Sequence, residues 1–347
     1  MALHTPMCDL LGIEYPIFAA GMGGVTMAPL TAAISAAGGC GVLGATFCTP
    51  DQLRAEIRSV REITDKPFGV DLLIPGDIPA DLTAHEVPPF PNFLEDLMPK
   101  VEGLKGNPPP PLTIDLARAQ VEVTLEEKVP LMVSALGTPR WLVEECHAVG
   151  TKVMSMVGAV RHAARLEQMG VDIIVAQGME AGGHVGTVTT MVLVPSVVDA
   201  VSVPVLAAGG IIDGRGIAAG MMLGAQGAWI GTRFIATEEA TAPNSHKQGI
   251  LRADENGTVV SRCYTGKPSR VLKNEFTSRW HGRDNELLPM PWQRMRVEKL
   301  VAPAKAVGMP EIANFPTGQA AGAINDIPKA ADVFRDMVSE TEGAMAQ

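Results

Sequence analysis

Eight short apolar runs, at 17–20, 41–45, 68–74, 131–136, 152–157, 172–177, 205–208 and 228–231, alternate along the chain with stretches of helical periodicity. Such alternation marks βαβ units and a parallel sheet, because two parallel neighbours need a crossover long enough to hold a helix. Eight units within residues 17–236 fit a closed (β/α)8 TIM barrel, an α/β fold, better than an open doubly wound sheet. The eighth helix must then come from the less regular tail.

Helix boundaries support the count. Thr49-Pro50 and Thr138-Pro139 each offer a capping hydroxyl followed by a proline suited to a first helical turn. Gly170 and Gly224 stand where helices must stop, in EQMGVD and MMLGAQG. Residues 75–111 break the rhythm with prolines too dense for a helix or a central strand. This insertion follows the third strand, on the face where such barrels do their chemistry, so it reads as a lid or pocket wall, or else as a surface linker or oligomer arm. Residues 1–236 are taken as the barrel with its insertion. Residues 237–347 form a small, mainly helical C-terminal addition expected to cover the mouth and complete the fold. Arg279, Arg283, Arg294 and Arg296 in that addition read as a solvated face.

Composition removes several functions. With 46% hydrophobic residues the chain can build a large core, and a net charge of -10 argues against a nucleic-acid backbone as partner. Five cysteines in no CxxC pair read as reduced structural thiols. No metal site is expected, since HExxH and carboxylate-histidine clusters are absent, and no P-loop occurs. The N-terminus lacks a basic and apolar leader pattern, and no apolar run is long enough to cross a membrane, so the expectation is a cytoplasmic protein with a small-molecule substrate. A homodimer is one assembly open to it.

The chemistry gathers at strand ends. Gly209-Gly210 follows the seventh strand and Gly231-Thr232 the eighth. A phosphate needs several backbone N–H groups converging with no Cβ in the way, and a helix N-terminus adds a favourable dipole. One Gly-Gly pair alone reads as a tight turn, whereas two such turns at consecutive strand ends favour a phosphate. After the sixth strand, QGMEAGGHVG places His184 among Gly182, Gly183 and Gly186, where an imidazole can meet a flat ligand and donate or take a proton. The other histidines read as structural. The first turn, Ala20-Gly21-Met22-Gly23-Gly24, can lay its backbone and the soft Met22 thioether against a planar ring, though in a chain with 18 methionines Met22 also reads as filling.

PIFAAGMGG, DKPFGVD, AQGMEAGGHVG, PVLAAGGIIDGRG and GAWIGTRF stand in the order found in nitronate monooxygenases, once called 2-nitropropane dioxygenases, and the chain resembles that family from about residue 10 to 234, again weakly at 264–276. The resemblance implies a flavoprotein with non-covalent FMN that oxidises alkyl nitronates, and nitroalkanes after loss of an α-proton, with O2 to a carbonyl compound and nitrite. It implies Met22 and Gly23 along the ring, Gln177 at its polar edge or ribityl chain, and Gly182 and Gly183 close to the cofactor. Gly209, Gly210, Gly231 and Thr232 take the phosphate, and His184 is the catalytic histidine. NAD(P)H-dependent flavin reductases of quinones and of enoyl or CoA thioesters look alike over the same stretches. Two departures stand out: Asp71 occupies a position where many relatives carry Asn, putting a carboxyl near the flavin, and Met156 replaces a Lys of some quinone reductases.

Overall fold

The computed structural model describes residues 3–74, 88–104 and 112–346. Eight parallel strands close into a barrel in the order β1 (Ile17–Ala19), β2 (Cys40–Gly44), β3 (Phe68–Leu73), β4 (Leu131–Ala135), β5 (Lys152–Val157), β6 (Ile173–Gln177), β8 (Val205–Ala208) and β9 (Gly227–Ile230). The expected strands are all present, within a residue or two at each end. Three further strands, β7 (Gly183–His184), β10 (Thr258–Ser261) and β11 (Ser269–Leu272), form a separate antiparallel sheet in the order β10-β11-β7.

Strand alternation divides the core in two. Phe18, Val42, Val133, Met154, Val175, Leu206 and Trp229 fill the barrel, and the short helix Pro6–Leu11 plugs its lower end with Met7, Cys8 and Leu11. Their outward neighbours, such as Val70 and Leu72, join the helix shell. The helix Pro50–Ile63 illustrates the shell: Thr49 and Gln52 close a capping box, and Leu53, Ile57 and Val60 recur on one buried face. Each such side chain contributes about 1.5–3 kcal/mol by leaving water, so Ile57→Ala alone costs about 2–5 kcal/mol. Thr138 does not cap as expected. Its hydroxyl lies 2.7 Å from Ser155 Oγ, and Pro139 takes the N-cap position of the helix Arg140–Ala148. A neighbouring hydroxyl outcompetes the helix amides there.

The shell closes through the tail. Helix Ala330–Met345 packs against helices Gly214–Met222 and Ala28–Ala36, with Phe334 pressed on Gly39. Between β9 and that helix, the C-terminal addition builds a second core from Tyr264, Phe276, Trp280, Val297, Leu300 and Ile312. The described part of the insertion, with a 3-10 segment Asn92–Val101, sends Leu94, Leu97 and Val101 into the same core. The arginines read as a solvated face are partly exposed and make surface contacts with the insertion: Arg279 pairs with Asp96, Arg296 donates to Pro89 O and Arg283 lies 4.3 Å from the Phe93 ring centroid. Exposed pairs of this kind are worth at most about 1 kcal/mol each, so the shared apolar core holds the insertion and the arginines align it. Residues 75–87 and 105–111, on which part of the lid expectation rests, lie outside the described residues. Among the described residues no helix is long and apolar enough to cross a membrane.

Candidate active site

Pairing of Ala208 with Trp229 brings the ends of β8 and β9 together, so Gly210 and Gly231, two residues further along, adjoin at the upper rim. Gly209 and Gly210 both adopt positive φ, +106° and +74°, which side chains rarely tolerate. A Cβ on Gly209 would come within 2.8 Å of Thr190 Oγ1, so the turn has no room for one. The first amides of helix Gly214–Met222 are already taken: Gly216 N–H donates to Asp213 at 3.1 Å and Gly214 N–H to Glu340 at 2.9 Å. A phosphate here would meet turn amides, those first helix amides being already engaged.

The tail completes this cradle. Gly318 N–H donates to Thr232 Oγ1 at 2.7 Å, and a Cβ on Gly182 would lie 2.9 Å from Gly318 N. Gly182, Thr232 and Gly318 are thus mutually seated, with Gln319 N–H on Glu180 O at 2.8 Å. Glu180 in turn accepts from Thr190 N–H and Oγ1, locking the loop to the start of helix Thr190–Val198. Gly318 was not singled out in the sequence. It sits in an irregular stretch whose partner is 86 residues away, a pairing that no local pattern encodes.

His184 stands at the mouth on β7, which is held by the added sheet through pairing with Ser269. Gln177, at the end of β6, donates from Nε2 to His184 O at 2.7 Å. Its amide therefore anchors the histidine's backbone. His184 Nε2 lies 3.0 Å from Thr265 Oγ1. Burial and the Lys267 charge drive the imidazole pKa down to about 4, so the ring is neutral at physiological pH.

Met22 and Gly23 form the opposite wall. Gly231 faces Met22 Sδ, with a Cβ position 3.5 Å away, and Gly23 packs against Phe47, over whose ring the Lys305 ammonium lies 4.5 Å from the centroid. Alternation on β3 turns Asp71 into the barrel, opposite to Val70 and Leu72, and its side chain covers Gly21. Asp71 is 4% exposed and its Oδ1 has no hydrogen-bond partner. Burial pushes its pKa well above the usual carboxylate range. The expected site residues thus gather at the strand ends, with Asp71 inside the barrel against the first turn, and the glycine cradle fits a ligand with a phosphate end.

A family profile described as nitronate monooxygenase matches residues 4–340. A Staphylococcus saprophyticus protein named "Probable nitronate monooxygenase" is 34% identical over 92% of both chains. A Mycobacterium tuberculosis dehydrogenase of a hydroxy-methyl-oxo-octahydroindene carboxyl-CoA is 31% identical, over 97% of this chain and 96% of the relative. The solved nitroalkane oxidase of Streptomyces ansochromogenes superposes with a TM-score of 0.86 at 30% identity, over 99% of each chain. The chain is an enzyme.

Proposed function

The chain belongs to the nitronate monooxygenase family, and from that premise we propose that it oxidises alkyl nitronates with FMN and O2, giving a carbonyl compound and nitrite. The observation that carries this reading is the neutral His184 imidazole, fixed by Gln177 and Thr265 on the loop that leads into the glycine cradle. Gly209, Gly210, Gly231 and Thr232 would hold the phosphate, with Gly318 bracing Thr232. Met22 and Gly23 would line the ring, Gly182 and Gly183 would let the backbone approach it, and Asp71 would face its edge. Bound FMN supplies the electron acceptor that O2 restores.

His184 would orient the oxygen atoms of the substrate. An imidazole with a pKa near 4 is a poor base at neutral pH, because general-base strength follows the group's affinity for a proton. A nitronate needs no proton removed, so it suits this histidine better than a nitroalkane does. Lys305 and Lys267 add positive potential around the mouth that favours an anion. Anaerobic mixing with propyl-2-nitronate should bleach the flavin absorbance, and an unchanged spectrum at saturating substrate refutes the proposal. The CoA-thioester dehydrogenase among the relatives supports a second reading, an NAD(P)H-dependent flavin reductase of a quinone or of an enoyl or CoA thioester. Rapid anaerobic reduction by NADH or NADPH, with no response to the nitronate, selects that one.

A further inference from the structure

We propose that Asp71 serves as a hydrogen-bond donor, a protonated carboxyl at neutral pH whose O–H is offered to an acceptor on the ring of the bound coenzyme. The inference rests on the FMN reading above and concerns this chain's own buried aspartate.

The geometry leaves a carboxylate no support. Asp71 points into the barrel from β3, and its neighbours across the ladder are Gly44 on β2 and Val133 on β4. The elements packed around it, β2, β4 and the first turn, carry no acid or base except the thiol of Cys40, whose own pKa is pushed up to about 12 by burial. Across the barrel stand Met154 and Met156 on β5 and Val175 and Gln177 on β6, again uncharged. Among the described residues no charged group shifts its titration and Oδ1 accepts no hydrogen bond.

A carboxylate spreads its charge over both oxygens, so an anion here would leave a partial charge on a sealed, unsolvated Oδ1. Burying an unpaired charge costs far more than burying a neutral carbonyl-type oxygen without a partner. The proton therefore stays on the carboxyl. Oδ2, the oxygen nearer the place a Cβ would occupy on Gly21, lies at the first turn, beside the wall assigned to the ring. Protonated there, Asp71 presents a donor where an asparagine would present its N–H, and a charged carboxylate would present none.

The test is an infrared difference spectrum at pH 7.5 on holoprotein and flavin-free protein, for wild type and Asp71→Asn. A protonated-carboxyl C=O band present in wild type, absent from Asp71→Asn and shifted when FMN is added supports the proposal. So does an FMN Kd for Asp71→Asn within about threefold of wild type, with Asp71→Leu weaker by about tenfold, the size of one lost hydrogen bond. No such band in wild type overturns it, as does a band that FMN does not move, or an Asp71→Asn variant as weak as Asp71→Leu. If Asp71→Leu fails to fold, the band and the Asp71→Asn affinity decide. A protein that refuses FMN altogether sinks the flavin reading and this proposal together, whereas FMN that binds without moving the band sinks this proposal alone.

Discussion

His184 Nε2 lies 3.0 Å from Thr265 Oγ1, closer than the 3.2 Å that separates the same hydroxyl from Lys267 O. With the hydroxyl hydrogen directed to Nε2, Nδ1 carries the imidazole proton and can offer it to a substrate oxygen. Thr265 thus sets the tautomer of a ring whose backbone Gln177 already holds. Thr265→Val should lower kcat/KM for a nitronate about tenfold, with FMN content unchanged, and Thr265→Ser should restore most of it. Equal rates for Thr265→Val and wild type would reduce the contact to packing.

The depressed pKa of His184 predicts a pH profile. The imidazole is neutral well above a pKa of about 4, so kcat/KM for a nitronate should be level from pH 6 to 9 and fall only as the ring gains a proton near pH 4. A limb centred near 6.5, the ordinary histidine value, would show that the ring is not buried as described. His184→Ala should lose about a hundredfold or more at pH 7.5 while keeping its flavin.

The barrel was legible because most of its strands are short apolar runs with glycine at their ends, as at Val205–Ala208 before Gly209. The added sheet was not. β7 is two residues long and includes a glycine, so it has no alternation to read, and it becomes a strand only because Ser269 and Arg270 pair with it. Thr265 and Gly318 were invisible as site residues for the same reason, since their partners are 81 and 86 residues distant. The position of Asp71 near the ligand came from the resemblance, but its sealed Oδ1 depends on barrel closure around it. Gly209 and Gly210 form the strand-end turn expected of them, while the first amides of the helix that follows are occupied by Asp213 and Glu340, the latter from the last helix.

The seat of Gly182 against the tail makes it the sharpest probe of the cradle. A methyl group there meets Thr317 and Gly318 backbone at 2.9 Å, and backbone cannot yield as a flexible side chain does. Gly182→Ala should therefore weaken FMN binding by about tenfold or more, measured by fluorescence quenching of the free coenzyme. Gly343→Ala, with open space around the added methyl, serves as the control and should bind FMN like wild type. Matching affinities for the two variants would mean that the tail does not brace the site.

His246 couples the same tail to stability. It is 3% exposed, stacks on Phe315 at 4.6 Å and reaches Thr317 Oγ1 at 3.0 Å, and burial with the Lys305 charge lowers its pKa to about 4. In the unfolded chain the same ring titrates near 6.5. A group whose folded pKa is depressed stabilises the fold above its unfolded pKa, and that contribution is lost as pH falls toward the folded value. The loss here is on the order of 3 kcal/mol between pH 7 and 4. His246→Phe keeps the stacking and cannot bind a proton, so urea unfolding should show wild type losing about 2–3 kcal/mol more than the variant between pH 7 and 4.5. Parallel losses in the two proteins would rule out this histidine as the source of the acid sensitivity.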